Sequence, residues 1–243
     1  MKGFPLLLKY IKTIMRLLKI STTILALTAI AFTATNAQAE TIILRSGNGS
    51  VGGTDSQVNM LVGPTNGPFT SAFTNANFNN AKNGSDAFII NRNGAWGNGL
   101  AGDSASKWIA TNSGGAGEGS TALYAISFVL SSLVTSATFD LRFMADDLLG
   151  TGVNQGVYIN GTAISGNSIG GGYTTESTFT RSNIASLLVV GTNTLYLNVN
   201  DTGAGPSGLI FRATIVTTNV AEPSMLALLS IGLFGLGRRF RNN

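Results

Sequence analysis

The chain contains no cysteine and no histidine. Without histidine there is no Ser-His-Asp or Cys-His nucleophilic site, no HExxH zinc site and no imidazole base. Without cysteine there is no disulfide, zinc knuckle or iron–sulfur cluster. Charge is also scarce: 11% of residues are charged, against roughly 25% in an ordinary soluble domain. Whatever chemistry remains falls to carboxylates, hydroxyls, Lys, Arg or oxygen-ligated calcium. What is abundant is apolar residues, at 44%, and glycine, at 31 of 243. A net charge of +4 and a pI near 9.6 would suggest a nucleic-acid or membrane partner, if those charges were spread over the folded part.

They are not. Lys2, Lys9, Lys12, Arg16 and Lys19 precede an apolar stretch from Ile20 to Phe32, followed by Ala37-Gln38-Ala39. A basic region, a short apolar helix and small residues at a cut site make a secretory signal peptide. Ala37 and Ala39 are the expected recognition residues, so residues 1–39 are the signal and Glu40 begins the mature chain. A start at Met15 would give a signal of more ordinary length, and Met15 is the expected true start.

The other end carries a second address. Glu222-Pro223-Ser224 leads into an apolar segment, 225–237, and then Arg238, Arg239 and Arg241. Thirteen residues make a helix of about 20 Å, short of the ~30 Å hydrocarbon core. It is a marginal anchor held from the cytoplasmic side by arginines. Residues 220–243 resemble the PEP-CTERM sorting signal of exported Gram-negative proteins. The Glu-Pro pair, the glycine-bearing apolar helix and the Arg cluster match that signal. Ala221 stands where its first proline is usual. The resemblance implies removal of the tail by an exosortase, a membrane transpeptidase, and delivery to the cell surface or exopolysaccharide matrix.

Removing both addresses changes the charge. Residues 40–220 hold seven basic and ten acidic residues, near −3. The basic pI belongs to the targeting segments, and nucleic-acid binding loses its compositional support. What remains, residues 40–219, reads as one all-β domain. Short β-branched and aromatic runs alternate with Gly, Asn, Ser and Thr clusters. Phe139, Leu141 and Phe143 face one way, and Asp140 and Arg142 the other. Leu195, Leu197 and Val199 repeat the pattern, as do Leu209, Phe211, Ala213 and Ile215, and Tyr124, Ile126, Phe128 and Leu130. Thr41–Leu44 and Ala87–Ile90 are further strands. Ser182–Leu188 is the one helical candidate, of one or two turns.

From about Thr41 to Ile215 the chain resembles the jelly-roll β-sandwich common among such exported proteins, and is similar to galactose-binding-like modules. Ser106-Lys107-Trp108-Ile109 carries the likeness, as do Ala145-Asp146-Asp147 at a strand end and Val157-Tyr158-Ile159-Asn160-Gly161. Gly191-Thr192-Asn193-Thr194-Leu195 and Pro206-Ser207-Gly208-Leu209 complete the order. The resemblance implies the fold and a sugar-binding ancestry, not an activity.

Candidate sites arise from residue chemistry. Asp146, Asp147 and Asn154 enter a Gly-rich loop and offer oxygen ligands for a structural calcium; ordinary turn capping is the alternative. Trp96, in the glycine-rich loop 94–99, is the expected sugar-stacking ring, and Tyr158 and Asn160 are further candidate ligand contacts. Trp108 is expected in the core. Asn160-Gly161 also marks a hairpin turn. Gly47 to Gly52 matches GxGxxG without the helix that a dinucleotide fold needs. A glycosidase would need two carboxylates about 5–10 Å apart. Asp146 and Asp147 are adjacent, hence expected on opposite faces of a strand; Asp103, Glu118, Glu176 and Asp201 are the others that would have to converge. No catalytic motif is present. The reading is an exported, non-enzymatic, polysaccharide-associated surface or matrix protein that meets the membrane transiently through its C-terminal helix. A purely structural matrix protein and a glycan-active enzyme are the alternatives.

Overall fold

The computed structural model describes residues 38–114, 119–203 and 205–219. The expected signal peptide, apart from Gln38 and Ala39, and the expected sorting tail with Glu222, Pro223, Arg238, Arg239 and Arg241 lie outside them, as do Ala37 and Glu118. Among the described residues no helix is long and apolar enough to cross a membrane.

Alternating apolar residues dictate strands, and the strands bury their apolar faces against each other. Twelve form among the described residues: β1 (Ala39–Arg45), β2 (Thr54–Thr65), β3 (Ser85–Ile89), β4 (Ile109–Ala110), β5 (Ser120–Leu130), β6 (Val134–Asp146), β7 (Leu148–Leu149), β8 (Val157–Ile159), β9 (Thr162–Ala163), β10 (Ser177–Ser182), β11 (Gly191–Asn200) and β12 (Gly208–Asn219). They join in one curled sheet of order β10-β6-β12-β4-β3-β2-β5-β11-β8-β9, with β1 on β12 and β7 on β11. The pairings between these strands are antiparallel. The curl makes two layers, consistent with a jelly roll. Phe139, Leu141, Phe143, Phe211, Ala213 and Ile215 from one layer meet Val58, Tyr124, Ile126, Leu195, Leu197 and Val199 from the other in a single core. Each apolar face read from the sequence is this core face.

The outer faces of the two layers differ. On β5 and β11 the outer residues Leu123, Ala125 and Tyr196 are covered by helix α1 (Asn75–Lys82) and the segment before it. Phe78 of α1 lies 5.1 Å from the Tyr158 ring and 4.9 Å from that of Tyr196. The sequence reading has no helix here. Asn75-Ala-Asn-Phe-Asn-Asn-Ala-Lys82 is polar and Asn-rich, a poor helix former. It holds because Asn77 Oδ1 accepts from the Thr74 backbone N–H at 2.9 Å, as in a capping box, and because Phe78 and Ala81 bury one face. The expected helix at Ser182–Leu188 is a single 3₁₀ turn, Ala185–Leu187.

Candidate functional site

Trp96 is not an exposed sugar platform. It is 3% exposed, because its glycine-rich loop folds back over the outer face of β6 and β12. There it joins Trp108, Leu100, Met144 and Ile210 in a second small core. The indole rings of Trp96 and Trp108 lie 4.3 Å apart, tilted by 37°. Trp96 Nε1–H donates to Asp146 Oδ2 at 2.7 Å. The close approach needs Gly208, since a Cβ there would come within 2.6 Å of the Trp96 ring. Trp108 is buried as expected.

Asp146 and Asp147 do not diverge to opposite faces. β6 ends at Asp146, so the alternation of a strand stops there, and their side chains share a hydrogen bond. Burial, the Asp147 hydrogen bond and the charges of Asp147 and Asp201 push the Asp146 carboxyl up to about 7, against the opposing indole donor. Burial also acts on Asp147, but the Thr202 hydroxyl and backbone N–H outweigh it and hold that carboxyl below its usual value. The two shifts run in opposite directions, so a proton shared by the pair favours Asp146. Asn154 serves a different clamp: its Oδ1 accepts from Phe73 N–H at 2.8 Å and its Nδ2 donates to the Ser71 carbonyl at 2.9 Å. Among the described residues no group of three or more acidic side chains is arranged to hold a metal ion. In this arrangement Asn154 is bound to the backbone of Phe73 and Ser71, whereas Asp146 and Asp147 accept from Trp96 and Thr202.

Tyr158 and Asn160 also serve the fold. Tyr158 is buried among the rings of Phe73 and Phe78. Its hydroxyl accepts from Gln155 N–H at 2.7 Å. Asn160 takes the left-handed turn conformation, φ 51°. Its Oδ1 accepts from Thr194 N–H, and its Nδ2 donates to the Leu187 carbonyl and Asn193 Oδ1. The glycine motif at Gly47 is likewise structural: its N–H donates to Asp55 Oδ2 at 2.6 Å, at φ +87°.

Beyond Met144 and Ile210, which the Trp96 loop covers, the outer face of β10, β6, β12 and β1 is open. Their registers place side chains in three rows across the strands. Thr178, Arg142, Arg212 and Arg45 form one; Thr180, Asp140, Thr214 and Ile43 the next; Ser182, Thr138, Val216 and Thr41 the third. All twelve are exposed or half-buried. Neighbouring strands are ~4.8 Å apart, so three guanidinium groups abreast need counter-charges. Asp103 supplies one: its Oδ2 lies 2.8 Å from Arg45 Nε and 4.0 Å from Arg212 Nε. Despite burial, Ser106, Arg45 and the Ala105 N–H hold its carboxyl below the usual range. Glu176 and Asp140 lie 3.6 and 3.9 Å from Arg142. The result is a neutral face of alternating donors and acceptors, fringed by hydroxyls and two apolar side chains. A sugar hydroxyl both donates and accepts, and charge-assisted bonds of this kind are the stronger ones.

The wet half of two of these strands is legible in the sequence, as Asp140 and Arg142, and as the residues between the apolar ones of β12. Their assembly into one face is not. It depends on which strands pair, and periodicity carries no information on that.

No family model matches the chain, and no curated protein matches it. Among solved structures it is similar to a family 35 carbohydrate binding module from Clostridium thermocellum, at 10% identity over 72% of this chain and 97% of that one, TM-score 0.34. A second is a family 35 module from an environmental isolate, at 16% identity over 68% and 98% of the two chains, TM-score 0.31. The CBM35 from Cellvibrio japonicus Abf62 aligns at 15% identity over 74% and 99%, TM-score 0.29.

Proposed function

We propose that this chain is an exported, non-enzymatic surface or matrix protein that associates with polysaccharide through the open outer face of β10, β6, β12 and β1. The observation that carries the reading is the asymmetry of the two layers. One outer face is sealed by α1 and an aromatic cluster. The other is covered by the Trp96 loop only over Met144 and Ile210, and beyond them presents three rows of hydroxyl, guanidinium and carboxylate groups to solvent. The contact is polar and shallow, without a stacked tryptophan. Export is inferred from residues 1–39 and sorting from residues 220–243, with an exosortase-type transpeptidase as processing partner and the Gram-negative cell surface or matrix as destination.

The non-enzymatic reading is supported by how the carboxylates are spent. Asp146 accepts from Trp96, Asp147 from Thr202, Asp103 from Arg45 and Ser106, and Asp201 from Gly203 and Asn66. Glu176 Oε2 accepts from Ala101 N–H. Each is explained by the fold alone.

A second reading, a matrix protein that only spaces or assembles, is favoured by the burial of both tryptophans. A glycan array probed with the purified protein, with and without calcium, separates the two. Binding to extended polysaccharides supports the proposal. An array without hits under both conditions leaves the structural reading.

A further inference from the structure

The open face ends, on one side, at the end of the sandwich from which the chain departs. Asn219 pairs with Val134 at the start of β6, and Ala39 pairs with Thr218. The same end holds the β5–β6 connection and the segment leading into β11, since Gly191 is opposite Leu130. The end of β5 and these connections expose large apolar side chains: Val129 at 65%, Leu133 at 66%, Val189 at 53% and Val190 at 52%. They carry no charge to moderate that exposure. Residues 128–139 and 182–200 contain no Asp, Glu, Lys or Arg. Isolated exposed apolar residues are ordinary, but an uncharged group of them at one tip marks an interaction surface.

The chain beyond β12 decides what covers the tip. Only residues 220–224 separate Asn219 from the apolar segment that begins at Met225. Even fully extended, a connection of that length reaches about 20 Å. In a chain anchored by residues 225–237, that length keeps this end of the sandwich within about 20 Å of the start of the anchor. The apolar segment is itself short for a bilayer core, and short spans draw flanking groups into the interface. Interfacial apolar side chains typically insert ~5–10 Å into the headgroup and acyl boundary, within the reach of this leash.

We propose that the Val129, Leu133, Val189 and Val190 tip is a lipid-facing surface, which seats the β-sandwich end-on against the outer leaflet of the inner membrane while the tail is still attached. The proposal rests on the reading of residues 225–237 as an anchor. Its partner is the phospholipid interface. Release of the tail would free the tip, and the open sheet face would then leave the membrane with the domain.

The chain lacks cysteine, so single cysteines can be placed without interference. Leu133→Cys and Val190→Cys report on the tip. Ser104→Cys, exposed next to Asp103 at the Arg45 end of β1, reports on the far end. None of the three touches the core. Each protein is exported through its own signal in a Gram-negative host without an exosortase, so that the tail is retained. It is then labelled with an environment-sensitive fluorophore and reconstituted in vesicles of phosphatidylethanolamine and phosphatidylglycerol. The expected result is a blue shift at both tip positions and several-fold stronger quenching there by a headgroup-region nitroxide lipid than at Ser104. Vesicle flotation with all three labels still in water overturns the tip proposal and leaves the anchor intact. Failure to float overturns the anchor, and the tip proposal with it. Tip labels shielded equally in detergent, with the protein sedimenting as a dimer, would assign the tip to a second copy and not to lipid.

Discussion

Asp146 lies buried at the end of β6, within hydrogen-bond reach of the Trp96 indole. Its place at a strand end, beside a second aspartate, suggests a metal ligand or an acid. In the fold it is the buried acceptor for the Trp96 indole, and burial first, then the Asp147 hydrogen bond and charge, disfavour its ionised form. A carboxyl with a folded pKa raised to about 7, above the usual 3.8, binds its proton more tightly in the native state. Its contribution to stability is complete below the unfolded value and is lost as pH rises through the folded value. Asp201 is shifted in the same direction by burial. Asp103 and Asp147 are shifted downward, and their contributions are lost only at lower pH. The thermal midpoint is therefore expected to fall between about pH 4 and pH 8. Asp146→Asn keeps an acceptor for the indole and removes the titration. Its midpoint is expected to flatten over that range, exceeding the parent's at the alkaline end. An unchanged slope would show that Asp146 is not the proton holder.

At the scale of elements, the second small core belongs to the stability of the sandwich. It covers Met144 and Ile210, which point outward from β6 and β12. Trp96→Ala is expected to cost about 3–5 kcal/mol in urea unfolding. Gly208→Ala, which pushes a methyl into the Trp96 ring, is expected to cost about 1–3 kcal/mol. Neither change touches the three rows, so glycan binding by the folded fraction should persist. If Trp96→Ala abolished binding in a protein as stable as the parent, Trp96 would be a ligand contact after all. The core strands were legible because each buries one face, and burial writes itself as alternation: Phe139, Leu141 and Phe143, or Leu195, Leu197 and Val199. The helix Asn75–Lys82 was not, because tertiary packing of Phe78 and a cap at Thr74 support a segment with weak intrinsic preference. Trp96 was misplaced for a related reason. A glycine-rich stretch signals a loop, but not whether the loop folds back as a cover. Arg45, Arg142 and Arg212 lie far apart in sequence, and only strand pairing sets them abreast.

For the whole molecule, charge is partitioned along the chain. The two ends are basic, and the domain between them is mildly acidic. The proposed export and sorting predict an intact mass for the surface form that lacks residues 1–39 and the tail from the Glu222-Pro223 region onward. A mass that retains Arg238 to Asn243 would contradict the sorting reading. That result would leave the sandwich and its open face untouched, since both rest on residues 39–219. Polysaccharide binding by that face is tested by comparing two proteins on one polysaccharide array. The parent should bind. An Arg142→Ala, Thr180→Ala, Thr214→Ala variant, with side chains removed only from the solvent face, should keep its thermal midpoint and bind at least about tenfold more weakly, or ~1.4 kcal/mol. Equal binding by a folded variant, or no binding by the parent with or without calcium, would contradict the account.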